Sequence, residues 1–264
     1  MFRSKLLKAG VFAGVAAVAM AAGVWYFYLK SDAPPPVSLS SAIEALATVT
    51  PETTGAATTT TAASASEPAE ATSAAAEAAL PVGEASDGDL AGTWAVQGGN
   101  SFVGYRVAET LASIGATTAV GRTSDVEGSL DFDGNAITAV EVTADLTTLT
   151  SDKSMRDGQL RTQAIETGTY PTATFVLSSP ITIGEAPADG EAVTQTVTGE
   201  LTLHGVTRTV EIGIEGALQD GLLVVVGSTE IQFADYDIDQ PVSMSVVSIE
   251  DHGTLEFQLI FEKT

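Results

Sequence analysis

From about residue 89 onward, apolar and polar positions alternate along the chain. Val103, Tyr105 and Val107 share one parity. So do Val126, Gly128, Leu130 and Phe132, then Val140, Val142, Ala144 and Leu146, and later Ala173, Phe175 and Leu177. Val197, Gly199, Leu201 and Leu203 continue the series, followed by Val210, Ile212 and Ile214, and finally Leu255, Phe257, Leu259 and Phe261. A period of two places every second side chain on one face, so each run predicts a half-buried β-strand. "DFDGNA" (131–136) and "LQDGLL" (218–223) lie between such runs and predict hairpins, because Asp-Gly and Gly-Asn tolerate the positive φ of tight turns.

One stretch breaks the alternation. "SDKSMRDGQLRTQAI" (151–165) contains helix formers, with Ser151 or Asp152 as a candidate cap and Met155, Leu160 and Ile165 placed to face a sheet. There is no internal repeat. About eight or nine strands and one short helix in residues 89–264 predict an all-β domain, an antiparallel barrel or sandwich.

The first 88 residues have a different texture. "MFRSKLLK" (1–8) is basic and precedes "AGVFAGVAAVAMAAGVWYFYL" (9–29), which carries no charge. At 1.5 Å per residue this run spans about 31 Å, enough for a single transmembrane helix. The positive charges before it place the N-terminus in the cytoplasm and the rest outside, so the expected location is the cell membrane with an extracytoplasmic C-terminal domain. A cleaved signal peptide is the competing reading, with Ala17-Val18-Ala19 as a candidate cleavage site. Residues 30–88 are rich in Ala, Thr, Ser, Pro and Glu, and predict a disordered stalk, although "SAIEALA" (41–47) has the make-up of a helical turn.

Charge narrows the function. The net charge is −23, with about −19 of it in residues 89–264. An acidic domain repels phosphate backbones, so nucleic acid is not an expected partner. The absence of cysteine excludes disulfides, thiolate metal sites and a cysteine nucleophile.

The two histidines are the obvious candidates for chemistry. His204 lies between the strand-like runs of "GELTLHGVTRTVEI" (199–212), which makes it a hairpin residue first, a ligand contact at a barrel rim second and a catalytic base last. No nucleophile elbow accompanies it. His252 reads as part of a polar turn. Asp235, Asp237 and Asp239 alternate, which on one strand face could hold Ca²⁺, but no carboxylate stands twelve positions along to close a Ca²⁺ loop. Arg156 and Arg161 are either structural ion-pair partners or contacts for a phosphate or carboxylate head group. Trp94 and Tyr170 read as packing residues.

Four segments together resemble the YceI-like family. "GELTLHGVTRTV" resembles its G-x-L-T-x-H-G-V-T element. "MRDGQLRTQAIETGTYPTATF" (155–175) resembles its Arg-Asp-x-x-Leu helix and the following Tyr-Pro and strand. "NSFVGYRV" (100–107) and "GRTSDVEGSLDFD" (121–133) resemble its opening strand and first hairpin. The similarity covers about residues 92–263. Glu109 stands where many members have His, and Phe233 and Asp237 in "FADYD" replace a basic residue and a glycine.

The resemblance implies a lipocalin-like antiparallel β-barrel of about eight strands that holds an isoprenoid or other long-chain amphiphile, with no enzyme chemistry and no cofactor or metal. Such a barrel has room for side chains or one small ligand. The implied ligand-binding residues are Val103, Tyr105, Val107, Leu130, Phe132, Phe175, Leu201, Leu203, His204 and Phe257, with Arg156 and Arg161 at the mouth. Gly128 and Gly199 fall on the inward parity and leave volume there. The alternatives are a ligand-free structural or stress-related surface domain, and a hydrolase using His204.

Overall fold

The computed structural model describes residues 33–49, 90–113, 115–184 and 187–264. The expected transmembrane segment, 9–29, lies outside them. Among the described residues, no helix is long and apolar enough to cross a membrane.

The alternating runs form a closed antiparallel barrel of eight strands. Two of the eight are each broken in the middle. β1 (Gly92–Val96) rises from the base and β2 (Phe102–Leu111) continues to the mouth. β3 (Gly115–Thr123) descends from the mouth and β4 (Val126–Phe132) continues to the base. The upper pieces pair with each other, as do the lower pieces. β5 is Ala136–Asp145, and a short β6 (Thr150–Ser151) pairs with β3. β7 is Thr172–Leu177, and β8 (Ile181–Thr182) pairs with the start of β5. The wall continues through β9 (Ala192–Leu203), β10 (Val206–Gln219) and β11 (Leu222–Gln232). β12 (Val246–Ile249) adds to the mouth end of β2. The last strand, β13 (His252–Lys263), closes the ring: it pairs with β11 on one side, and with β2 above and β1 below on the other.

The break between β1 and β2 is held by side chains. Fully buried Ser101 donates to the Gln97 carbonyl at 2.5 Å and accepts from the Ile260 N–H at 3.0 Å. Gln258 donates to the Asn100 carbonyl at 2.7 Å. Backbone groups that leave the ladder thus find other partners, as buried polar groups must.

Both expected Asp-Gly turns are hairpins. Asp220 and Gly221 have φ of +52° and +80°, as a type I′ turn requires. At Asp133–Asn135, the carboxylate accepts from the N–H groups of Asn135 at 2.9 Å and Ala136 at 2.7 Å.

Three features differ from expectation. The helical stretch starts later, as α2 (Ser154–Gln159), and passes into a single π-helical turn at Leu160–Ala164. Neither Ser151 nor Asp152 caps it; the Asp157 carboxylate instead accepts from the Ser151 N–H at 2.9 Å and its Oγ at 2.7 Å. The three alternating aspartates do not share a strand face. Residues 233–236 form a 3₁₀ turn and Asp237 follows in the left-handed region.

The third difference is larger. Within the stretch expected to be disordered, residues 39–49 form helix α1 (Leu39–Val49), which packs on the outside of the barrel. Leu39 and fully buried Ala42 sit on Ala217, Val224 and Val226. Just before the helix, the Pro34 carbonyl accepts from Arg106 and the Pro35 carbonyl from Arg122. Both arginines hold Glu256, which is 1% exposed, at 2.6 and 2.7 Å. The strap therefore covers a buried ion triplet and an apolar stripe. This explains the unbroken run Leu222–Val226, a strand buried on both faces.

Candidate ligand cavity

The inward parity of the strands encloses three adjoining spaces. The upper one holds about 370 Å³ and opens at the mouth. A second, of about 120 Å³, lies beneath it and shares Val103, Ala173 and Leu255 with it. A third, of about 100 Å³, shares Leu130, Ile137, Ile214 and Val225 with the second and reaches the base. The upper volume falls within the range of small-molecule sites.

The lower barrel is narrow because rings fill it. A Cβ on Gly199 would stand 2.2 Å from the Phe175 ring, and one on Gly227 would stand 2.5 Å from the Phe257 ring. Gly199 therefore does not leave open volume; the Phe175 ring occupies it. Gly128 lies against the backbone of Glu141 and Val142, and its missing side chain permits close strand approach. In the same way the Tyr105 ring lies across Gly121, at the bottom of the upper cavity.

A buried ion pair stands on one wall of the cavity. Arg156 of α2 pairs with Glu109 of β2 and with Asp152. Glu109 is 8% exposed, so the helix is tied to the strand by an ion pair shielded from water. Tyr105 lies beside this pair. Burial raises its phenol well above the ordinary value near 10, with nearby Asp157 and Glu109 adding to the effect against Arg156. Its hydroxyl approaches Ser151 but makes no hydrogen bond of normal geometry among the described residues. The Tyr105 hydroxyl is itself buried, so the polar groups that border the cavity are Arg156, already paired with two carboxylates, and side chains such as Lys153, Gln159 and Asp239. Apolar side chains, including Leu160, Phe233, Ile238 and Ile249, form most of the remaining wall.

The sequence-derived residues divide clearly. Val103, Tyr105, Val107, Leu203 and Arg156 line the upper cavity. Leu130, Phe175, Leu201 and Phe257 line the second, and Phe132 the third. Arg161 and His204 line none of them. Arg161 is exposed on the π-helical turn. His204 and Gly205 form a two-residue turn between β9 and β10, with φ of +52° and +75°. The His204 Nδ1 meets the Tyr236 carbonyl at 3.0 Å, Nε2 lies 3.5 Å from Glu166, and the ring packs edge-on against Tyr170. The turn residue is thus a structural pin. Trp94 is packed in the base core and donates to the Leu90 carbonyl at 3.0 Å. His252 opens β13 beside Asp251, whose carboxylate raises its pKa.

Sequence reasoning missed Glu109 as a cavity group, because it had no partner within its own strand. Its partner lies 47 positions away on α2.

A model of the family described as the YceI-like domain matches residues 94–261. The chain belongs to this family. A UPF0312 protein of Vibrio parahaemolyticus is 32% identical over 191 residues, covering 69% of this chain and 94% of that protein. Protein YceI of Escherichia coli O157:H7 is 31% identical over 119 residues, 44% of this chain and 56% of that one. A solved polyisoprenoid-binding domain from Saccharophagus degradans, implicated in plant cell wall breakdown, aligns with a TM-score of 0.52 at 18% identity, covering 65% of this chain and 98% of that domain. The likeness shows the lipocalin-like YceI fold. The strap at 33–49 lies outside the YceI-like match.

Proposed function

We propose that the barrel is a binding protein for an isoprenoid or similar long-chain amphiphile, held outside the cytoplasm by a membrane anchor at residues 9–29, and that it performs no covalent chemistry. The observation that carries this reading is the upper cavity: about 370 Å³, walled by apolar side chains, with one buried phenol on its wall. Burying a methylene contributes about 0.8 kcal/mol, so a ten-carbon stretch contributes about 8 kcal/mol before association costs. The paired state of Arg156 favours a neutral head group over a diphosphate, which would compete with Glu109 and Asp152 for the same cation. The polyisoprenoid binding named for the Saccharophagus degradans domain agrees with this reading.

Native mass spectrometry of the protein from its own host, with extraction and identification of the released lipid, tests the proposal. An apolar chain bound one to one is the expected result. Protein that emerges empty and shows no rise in melting temperature with added prenols refutes it. That result would favour a ligand-free structural domain, a reading for which the ring-filled lower barrel speaks. A hydrolase using His204 has no support in the geometry, since the ring is committed to the turn.

A further inference from the structure

Four of the most exposed large apolar side chains among the described residues stand around the mouth of the upper cavity. Met244, Val242, Met155 and Val247 have relative exposures of 104%, 83%, 70% and 67%. Met155 itself borders the cavity, as do Pro241, Ser245 and Val246, the chain neighbours of the other three. The two segments that carry them are joined, since the Val242 N–H donates to Gln163 Oε1 at 3.1 Å. Apolar tips therefore flank an opening that leads into an apolar hollow. Single exposed apolar residues are ordinary, but a group of them around one opening marks an interaction surface.

Two further observations select the partner. The first is charge: residues 89–264 carry about −19, which opposes docking on an anionic surface and leaves apolar burial as the attraction. The second is the course of the strap. Pro34 meets Arg106, which is level with Thr254 near the mouth end of β13. Helix α1 meets Val224, level with Ile260 near the base. The strap therefore runs from the mouth side towards the base, and its start faces the mouth. The uncharged stretch 9–29 ends four positions before Ala33.

We infer that Met155, Val242, Met244 and Val247 enter the surface of a bilayer with neutral head groups, mouth first, so that an apolar ligand passes between membrane and cavity without crossing water. The nature of what passes rests on the carrier reading above; the membrane contact does not.

Because the chain has no cysteine, single probes can be placed cleanly. The full chain is reconstituted into phosphatidylcholine vesicles with an environment-sensitive fluorophore on Met244→Cys or, as control, on Thr196→Cys, an exposed position on β9. The probe at 244 should shift to the blue and be quenched by lipids spin-labelled on their acyl chains, and the control should do neither. A probe at 244 as water-exposed as the control overturns the inference. So does one that is shielded but not quenched, which would mean that a second copy of the chain covers the rim. In a second arm, Val242→Asp combined with Met244→Asp should slow uptake of a fluorescent prenol from phosphatidylcholine vesicles about tenfold or more, the effect of losing one buried side chain of this size. Binding of the same prenol in detergent micelles should not change. Equal loss in both settings overturns the inference. Lipid quenching at 244 without prenol binding by the unmodified chain leaves the membrane contact standing and removes the carrier reading.

Discussion

Ala173 is the smallest of the three residues shared by the upper cavity and the chamber beneath it, the neck that a ligand long enough to enter both would thread. Ala173→Trp places an indole across that neck. The chamber below holds about 120 Å³. At the ~30 Å³ that a water takes in the liquid, this is room for about four carbon-sized groups. At about 0.8 kcal/mol per buried methylene, closing the neck removes about 3 kcal/mol from a ligand long enough to reach the chamber, or about a hundredfold in Kd. A shorter ligand, confined to the upper cavity, should lose much less. The assay is a series of Kd values for prenols that lengthen by one isoprene unit at a time, with denaturant midpoints as the control for folding. The unmodified protein should gain affinity with each unit until the chamber is full. The variant should reach its plateau earlier. Equal loss at every length, or the same plateau in both proteins, would refute the idea that the ligand chain threads the neck.

Other consequences follow from the ion pairs, the strap and the turn. Arg156→Ala leaves Glu109 buried without its partner and should cost about 3 kcal/mol in chemical denaturation, most of it recovered when Glu109→Leu is added; additive losses would show that the pair is not the unit. Burial holds the Tyr105 phenol above its ordinary value near 10, so the protonated form favours the folded state; that contribution is complete below about pH 10 and is lost as pH rises beyond it. Tyr105→Phe should therefore flatten the alkaline fall in stability above pH 10, and an unchanged alkaline limb would contradict this assignment. Ala42→Asp puts a charge into a fully buried site and should release α1, seen as faster hydrogen exchange in residues 39–49 with the amides of β9 still protected. His204→Val should cost about 1–2 kcal/mol because a β-branched residue resists positive φ, whereas His204→Gly should recover most of the backbone part; equal losses in thermal melts would locate the cost in the ring contacts instead.

Much of this architecture is written locally, and the parts that are not share one cause. Alternation puts Val103, Leu130, Phe175, Leu201 and Phe257 on the inside, because the period of a strand fixes its faces without reference to any neighbour. The Asp220-Gly221 and His204-Gly205 turns are equally local, set by which residues accept positive φ. The site differs. Glu109, Arg156 and Tyr105 meet only after β2 and α2 have been brought together, and nothing in either segment announces the other. The inward glycines mislead for the same reason: whether Gly199 opens space or receives the Phe175 ring depends on a strand some 24 positions away. Within 33–49 the apolar residues Val37, Leu39, Ile43 and Leu46 hint at a helix, but they do not show what the helix packs against. That signal lies in the host strand, where five consecutive apolar residues, Leu222–Val226, leave no face for water.

The broken strands have a consequence for how the two ends of the molecule respond to stress. Around the base, β1, β4, β5, β7, β9, β10, β11 and β13 form an uninterrupted hoop of backbone hydrogen bonds. Near the mouth the ladder runs only through β2 and β3 to β6, and α2 is held there by side-chain links such as Arg156 to Glu109. Links of that kind can be undone one at a time, whereas a hoop yields only as a whole. The barrel is in this sense a stiff cup with an adjustable lip, and widening the lip leaves the cup intact.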